Sequence, residues 1–322
     1  MNYLFVSDSN DGWRNLAVDE YFLDHIGPDD ALLFFYINAN AVIIGRSQNP
    51  WAECDLKRME ADGVQLVRRI TGGGAVYHDR GNLNFSFIMG KDRYDQKKQL
   101  ELILSAVRAL GIPCEFSGRN DLLANGRKFS GNAFCVRGGA RQHHGTLLVS
   151  ADLGKLQRYL HVDPRKLHSK GTRSVRARVC NLSDHLPGLT CERLLHALIA
   201  AYGEQYGDYR TLTSGDLDEA AIAPYMARQA SAAWRLGETP KFDLELEDRF
   251  AWGNIQLLFE SRHGVVENLG VYTDANDADL AETVKERLCG AAFGSRPMAA
   301  ALRGTGRPEL EDIADFILRQ GL

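Results

Sequence analysis

Two short segments of this sequence combine glycines with cationic side chains. In the first, Val67–Asp79, two arginines precede three consecutive glycines, Gly72–Gly74. Glycine adopts dihedrals closed to other residues and lets the backbone approach a bulky ligand, so successive N–H groups can converge on phosphate oxygens. The second, Gly126–Gly131, holds Lys128 beside another small-residue turn. Each segment alone fits an ordinary turn, but the pair predicts a site for anionic oxygens.

The residue types suit attack of a carboxylate on the α-phosphate of a nucleotide. Such a reaction brings two anions together, and preorganised positive charge and a bound Mg²⁺ can neutralise them. Arg69, the Gly72–Gly74 amides and Lys128 supply that charge, and Asn120 and Asp121 lie close to the lysine in sequence. The patterns GxxxxGK[ST], HExxH and GxSxG do not occur, and no predicted strand is followed by GxGxxG. P-loop, zinc-protease, serine-hydrolase and dinucleotide sites are therefore disfavoured.

The composition is that of a globular protein with room for two domains. The chain has 322 residues, 44% hydrophobic and 25% charged, with a formal net charge of −4. This balance gives no reason to expect a nucleic-acid or membrane partner. Six cysteines without a CxxC pair, and a first segment without a basic and apolar leader pattern, predict a cytoplasmic protein.

The elements around these residues are predicted to hold them on strands. A strand over Val64–Ile70 and another from Ala75 flank the glycines, and Asn125–Gly126 is the strongest two-residue hairpin signal. Lys128 should follow that turn on a rigid strand. Another strand, His143–Val149, should turn its two adjacent histidines to opposite faces.

Helical spacing and capping residues predict six helices before residue 240: Trp13–Ile26, Pro50–Asp62, Asp92–Leu110, Asp152–Leu160, Thr190–Tyr206 and Asp216–Trp234. Gly237–Pro240 reads as a boundary, followed by three strands and helices over Asp277–Leu288 and Pro308–Leu318. We therefore predict an α+β protein with domains over residues 1–240 and 241–322.

Several segments, in the same order, resemble the bacterial lipoate-protein ligase A family of the biotin/lipoate protein ligase superfamily. The likeness covers most of residues 1 to about 235. The segments are Asn15–Glu20, Ile44–Trp51, Arg69–Asp79, Gly118–Leu122, Gly126–Gly131 and His143–Leu148.

The resemblance implies a fold and a reaction. The fold has mixed and antiparallel sheets with flanking helices, as in biotin protein ligases, plus a small C-terminal α+β accessory domain. ATP and Mg²⁺ would convert lipoate to lipoyl-AMP and pyrophosphate, with octanoate open as another acid. The lipoyl group would then pass to a lysine of the lipoyl domains of E2 subunits of 2-oxoacid dehydrogenases, or of the glycine cleavage H protein.

The resemblance also implies roles for individual residues. Lys128 would be catalytic, contacting the carbonyl and the α-phosphate of the adenylate, and Asp121 would be a Mg²⁺ ligand. The ATP or lipoyl-AMP site would comprise Arg69, Gly74, Ala75, Val76, Tyr77, Asn120, Asp121 and Lys128. The lipoate site would comprise Arg69, Thr71, Gly73, His78, Lys128, Gly131 and His144. Leu167–Leu182 resembles the segment that covers the adenylate in the family.

Two other functions stay open at this point. An octanoyl or lipoyl transferase on the same scaffold would need a nucleophilic cysteine, and Cys114 and Cys135 lie nearest the lysine segment. We expect both to be buried, as free cysteines commonly are. A non-catalytic binding module would have lost Lys128 or the loop that carries Gly72–Gly74, which we call the glycine loop, and both are present here.

Overall fold

The computed structural model describes residues 1–117, 121–160, 179–237 and 244–322. They form two compact units. The first comprises Met1–Ile43, Trp51–Arg68 and Val76–Arg235. The second comprises Ile44–Pro50, Arg69–Ala75 and Leu236–Leu322, so it includes the glycine triplet.

A mixed sheet of eight strands, in the order β11-β1-β2-β6-β10-β9-β8-β7, forms the centre of the first unit. β1 pairs parallel with β2 and β11, and the other pairings are antiparallel. The strands are β1 (Asn2–Val6), β2 (Ala31–Tyr36), β6 (Asn82–Gly90), β7 (Cys114–Phe116), β8 (Asp121–Ala124), β9 (Arg127–Arg137), β10 (Ala140–Leu148) and β11 (Arg210–Leu212). A smaller sheet has the order β4-β3-β5, formed by β3 (Ala41–Ile44), β4 (Gln65–Arg68) and β5 (Val76–His78). These sheets confirm the predicted fold class.

Helices α1 (Gly12–His25) and α4 (Gln96–Ala109) pack against the large sheet. The other described α-helices before residue 240 are α2 (Pro50–Glu53), α3 (Leu56–Ala61), α5 (Leu153–Tyr159) and the helices Cys191–Tyr206, Glu219–Ala230 and Ala232–Leu236. Adjacent strand residues point to opposite faces. The side chain of His143 contacts Gln99 of α4, whereas that of His144 contacts Asp19 of α1. Helices α1 and α4 therefore lie on opposite sides of the sheet.

Capping side chains set several helix starts that the sequence predicts. Asp11 accepts a hydrogen bond from Trp13 N at the start of α1, and Thr190 accepts one from Arg193 N. Asp95 does the same for Lys98 N, so α4 begins at Gln96 and not at Asp92 as predicted.

Two predicted helices are each divided into shorter pieces. Within Pro50–Asp62, Asp55 accepts from Arg58 N and starts a new helix, α3, after a break at Cys54. Within Asp216–Trp234, the helix Glu219–Ala230 ends before Ser231, whose Oγ accepts a hydrogen bond from Trp234 N at 3.2 Å at the start of Ala232–Leu236. In both places, a side chain that caps a new helix interrupts the helix that the spacing of apolar residues predicts.

The second unit has its own sheet and core. β12 (Leu244–Phe250), β13 (Gly253–Arg262) and β14 (Val265–Thr273) form an antiparallel sheet, and the helices are Leu280–Leu288, Ser295–Leu302 and Pro308–Gln320. Ile255, Leu257 and Phe259 point from β13 into the core with those helices. The sequence did not predict Ser295–Leu302. In the described part of the chain, no helix has the length and apolar character needed to cross a membrane.

Candidate functional site

A tight hairpin positions Lys128. Asn125 (φ 48°) and Gly126 (φ 75°) both have positive φ and join β8 to β9. Two successive residues of this kind form the turn whose twist matches that of paired strands, and Asn-Gly favours it strongly. Lys128 therefore begins β9 directly after the turn, as predicted. The Lys128 carbonyl accepts a hydrogen bond from Cys180 N at 2.8 Å, which further restrains the backbone at this residue.

The Lys128 ammonium lies in a space bounded by a carboxylate and a glycine. Lys128 Nζ is 2.6 Å from Asp121 Oδ1, and the two side chains are 34% and 32% exposed. Gly131 is the β9 residue opposite Asp121. A β-carbon built on Gly131 would lie 3.0 Å from Lys128 Nζ, so glycine keeps this space open. Gly131 N donates to Thr146 Oγ1 at 3.3 Å, which brings a hydroxyl to the same place.

His144 lies on the same face of the sheet. It pairs with Ala133, and because strand residues two apart share a face, His144 stands beside Thr146 and Gly131. Its Nδ1 is 3.3 Å from Asp19 Oδ2, and both residues are buried. A carboxylate is an acceptor only, so Nδ1 carries the proton in this contact.

His143 has a different role on the opposite face. Its ring nitrogens lie 2.9 Å from Gln99 Oε1 and 2.8 Å from Asn132 Oδ1, and its ring stacks on Phe134 with centroids 4.7 Å apart. Complete burial lowers the pKa of His143 to about 3. This imidazole is therefore a neutral part of the core, as expected for two adjacent histidines that face opposite ways.

Three of the predicted site residues lie in β5. Val76 is half-buried, whereas Tyr77 and His78 are buried. The Tyr77 hydroxyl donates to Asn40 Oδ1 at 2.9 Å, and its ring lies 5.6 Å from that of Tyr159. His78 Nδ1 is 3.2 Å from the side-chain nitrogen of Asn38. These contacts hold β5 within the first unit.

Arg69 folds back onto the glycine loop of the second unit. Its Nη2 donates to Gly72 O at 2.7 Å and to Gly74 O at 2.9 Å, while Nε donates to Thr71 Oγ1 at 3.1 Å. The guanidinium therefore fixes the shape of Arg69–Ala75. Gly74 is exposed, and a β-carbon built there would have no atom within 4 Å. Ala75 beside it is half-buried.

The other two glycines approach another part of the second unit. A β-carbon on Gly72 would lie 2.3 Å from Ala275 O. Gly73 has φ +93°, and its N–H donates to Ala275 O at 2.7 Å. The sequence predicts close approach of this loop to a ligand, and the structure shows close approach to main chain about 200 positions later. Since no motif marks Ala275, sequence reasoning missed this contact.

Each unit thus brings together a different subset of the predicted residues. The first unit joins Lys128, Asp121, Gly131 and His144 at one face, with Thr146 as a neighbour that carries no sequence signal. The second contains Arg69, Thr71, Gly73, Gly74 and Ala75. Asn120 and residues 167–178 of the predicted covering segment lie outside the described residues.

Asp121 is the residue to test for the implied Mg²⁺. Among the described residues there is no group of three or more His, Cys, Asp or Glu that could hold a metal ion. Mg²⁺ commonly uses one or two carboxylates and takes its other ligands from water and substrate phosphates. A partly exposed carboxylate such as Asp121 fits that requirement.

The two cysteines considered as nucleophiles are half-buried, so the expectation that both are buried is wrong. Cys114 lies in the edge strand β7, and Cys135 precedes Val136, which is 64% exposed, so the sheet reaches solvent near both. Burial raises the pKa of the Cys114 thiol to about 11. A thiol of that kind is a poor nucleophile near neutral pH.

Comparison with protein families gives two matches that together span most of the chain. Residues 11–203 match the family model described as the lipoyl protein ligase A/B catalytic domain. Residues 239–317 match that of the bacterial lipoate protein ligase C-terminus.

Solved structures give the same result. LipL1 of P. falciparum, solved with lipoate, is 26% identical with a TM-score of 0.87, covering 99% of this chain and 100% of the other. The bipartite lipoate protein ligase of Thermoplasma acidophilum, studied with its E2 lipoyl domain, is 31% identical with a TM-score of 0.65 over 76% of this chain and 99% of the other. A lipoate-protein ligase A bound with ATP is 30% identical with a TM-score of 0.63, over 73% and 98%.

Proposed function

Because the chain belongs to the lipoyl protein ligase A/B family, we propose that it is an ATP-dependent lipoate-protein ligase that works through a lipoyl-adenylate. The observation that carries the proposal is the Lys128 ammonium, positioned on the hairpin, 2.6 Å from Asp121 and in the space left by Gly131. One related ligase was solved with ATP bound and another with lipoate, which supports the choice of substrates.

In the first half-reaction, a lipoate carboxylate oxygen attacks the α-phosphorus of ATP. A bond forms between that oxygen and phosphorus, and the bond to the leaving pyrophosphate breaks. Lys128 neutralises charge on the carboxylate and the phosphoryl oxygens, which lowers the barrier more than it stabilises the separate substrates. Asp121 would hold a Mg²⁺ ion, and such an ion supplies further neutralisation of the phosphates.

In the second half-reaction, the ε-amine of an acceptor lysine attacks the activated carbonyl. A C–N bond forms, the bond between the acyl carbon and the phosphate oxygen breaks, and AMP leaves with the electron pair. The amine must first lose its proton to become a nucleophile. Lys128 stabilises the oxyanion of the carbonyl in this step and the charge on AMP as it leaves.

The remaining residue assignments are part of the same proposal. Besides Lys128 and Asp121, the nucleotide site would use Arg69, Gly74, Ala75, Val76, Tyr77 and Asn120. The lipoate site would use Arg69, Thr71, Gly73, His78, Gly131 and His144 together with Lys128. For Tyr77 and Arg69, contacts with the ligand would come from the backbone or from a rearranged side chain, because their polar atoms already have partners within their own units.

We also propose residues 1–240 as the catalytic domain and 241–322 as the accessory domain. The acceptors would be lipoyl domains of E2 subunits and the glycine cleavage H protein, in the cytoplasm. A relative studied with its E2 lipoyl domain supports that class of partner.

The experiment is lipoate-dependent exchange of labelled pyrophosphate into ATP, followed by transfer of the acyl group to an isolated lipoyl domain. Exchange that requires lipoate supports the adenylate. A folded protein without exchange would favour a non-catalytic module. A stable thioester formed without ATP would favour the transferase instead.

A further inference from the structure

A bulge in β9 brings the Lys128 side chain to the face of the sheet that carries Asp121. Gly131 pairs with Asp121, but the pairing then shifts, so that Lys128 pairs with Leu123 and Phe129 is the extra residue in β9. Asp121 and Leu123 share a face because they are two apart in β8, and paired residues lie on the same face. Without the extra residue, Lys128 would point to the opposite face from Gly131. The bulge therefore places Lys128, Asp121 and Gly131 together.

The Thr146 hydroxyl lies where the ladder between β9 and β10 ends. The last pair is Gly145 with Asn132, and the next residue of β9, Gly131, donates its N–H to Thr146 Oγ1 at 3.3 Å. A β-carbon built on Gly131 would lie 3.0 Å from Lys128 Nζ and 4.0 Å from Thr146 Oγ1. The space that glycine leaves at this position is therefore close to both an ammonium and a hydroxyl.

The hydrogen of this hydroxyl is available to a ligand. A threonine hydroxyl has one donor hydrogen, and its oxygen can accept at the same time. In Thr146 the oxygen accepts from Gly131 N. Asn84 pairs with Thr146 on the other side, but its side chain donates to Tyr36 O at 3.1 Å and accepts from Asn82 at 2.9 Å. Among the residues that the structure describes, the Thr146 hydroxyl donates to no acceptor.

We propose that Thr146 contacts the substrate, its hydroxyl donating to the acyl oxygen of lipoate and of lipoyl-AMP beside the Lys128 ammonium. The inference rests on the proposed function, in which Lys128 stabilises that oxygen. Negative charge develops on the carbonyl oxygen when the acceptor amine attacks, and two preorganised donors stabilise it better than one. Thr146 is the second donor, and the Gly131 N–H holds its oxygen in place.

The hydroxyl should act differently in the two half-reactions. When lipoyl-AMP forms, the lipoate carboxylate loses negative charge as one of its oxygens bonds to phosphorus. A donor to the other oxygen therefore favours bound lipoate and not the transition state. When the acyl group passes to lysine, charge grows on the carbonyl oxygen, so the same donor favours the transition state. Loss of the hydroxyl should weaken lipoate binding in the first step and slow the second step.

The test replaces Thr146 by valine in the full-length chain, which keeps the shape of the side chain and removes the hydroxyl. In lipoate-dependent pyrophosphate exchange, KM for lipoate should rise about tenfold, while kcat and KM for ATP stay near the wild-type values. Transfer from synthetic lipoyl-AMP to an isolated lipoyl domain, measured in a single turnover, should become about 10²-fold slower. Thr146→Ser keeps the hydroxyl and should restore both quantities.

Thr190→Val is the matched control. Thr190 Oγ1 also accepts a backbone N–H, from Arg193 at 3.2 Å, but it caps the helix Cys191–Tyr206 and belongs to no part of this site. Both valine variants lose one such contact and should show small shifts of the urea midpoint, whereas only Thr146→Val should change the kinetics. If Thr146→Val does not fold, Thr146→Ala removes the same hydroxyl at this half-buried position.

Wild-type kinetics in a folded variant that lacks the hydroxyl would overturn the inference and leave the proposed function intact. Equal rises in KM for ATP and for lipoate, or no recovery in Thr146→Ser, would also overturn it, because Thr146 would then only support Gly131 and Lys128. A wild type that neither exchanges pyrophosphate nor uses synthetic lipoyl-AMP overturns the proposed function and this inference together.

Discussion

Replacing Lys128 by alanine should lower catalysis strongly while changing stability little. Lys128 and Asp121 are each about one-third exposed, at 34% and 32%. Ion pairs this accessible to solvent contribute roughly 0–1 kcal/mol to stability, because water screens them and long side chains lose entropy. The free energy of unfolding should therefore fall by about 1 kcal/mol or less.

The effect on the reaction should be far larger. Removing one preorganised charge that stabilises a developing anion costs about 10²–10³ in rate, equivalent to roughly 3–4 kcal/mol of the barrier. We expect Lys128→Ala to lose lipoate-dependent pyrophosphate exchange by at least this factor, while its urea midpoint stays close to the wild-type value.

Arg127→Ala is the matched control for this experiment. Arg127 is the preceding residue of the hairpin, is 42% exposed and has an ion pair of 3.5 Å with Asp184. It should lose a similarly small amount of stability and keep most of its exchange activity. Exchange by Lys128→Ala within tenfold of wild type, or equal losses of activity in both variants, would refute the role given to Lys128.

Three further predictions test individual positions. Gly131→Ala should reduce pyrophosphate exchange about 10–10²-fold, since its β-carbon would lie 3.0 Å from Lys128 Nζ and displace the ammonium; unchanged exchange would contradict this. Gly73→Val should abolish adenylate formation, because φ +93° strains a β-branched residue by roughly 1–3 kcal/mol and the new β-carbon would approach Arg69 Nη2 to 2.9 Å; retained tight binding of lipoate and ATP would oppose the argument. His143, with its pKa lowered to about 3, stays neutral in the folded state while the unfolded chain takes up a proton below about 6.5. The free energy of unfolding from urea titrations should therefore fall by about 1.4 kcal/mol for each unit by which the pH is lowered between about 6.5 and about 3, with a smaller slope in His143→Gln.

The features that the sequence predicted well depend on neighbouring residues. The Asn125–Gly126 hairpin follows from two positive φ values that few other pairs accept. The helix starts at Asp11 and Thr190 follow from a side chain that bonds an N–H two or three residues away. These interactions are complete within a few residues, so pattern reasoning could identify them.

The features that it missed depend on residues far apart in the chain. The glycine loop indicated close approach, but nothing near it identifies Ala275 as the partner. Thr146 reaches the Lys128 site through strand pairing alone. The two divided helices show a different problem: the capping contacts of Asp55 and Ser231 are local, but continuous helical spacing across these residues predicted one helix in each place.

Gly131 and Gly72 are required for different reasons, so a substitution should have a different effect at each position. At Gly131 the absent β-carbon leaves space for the end of a flexible lysine side chain, which can move if space is lost. At Gly72 the space is filled by the carbonyl of Ala275, which is main chain and is held by the hydrogen bond from Ala275 N to Thr273 Oγ1. A methyl group at Gly131 should therefore change rate with little change in stability. The same methyl group at Gly72 would lie 2.3 Å from Ala275 O and would have to displace main chain, so Gly72→Ala should lower the midpoint of urea unfolding more than Gly131→Ala does.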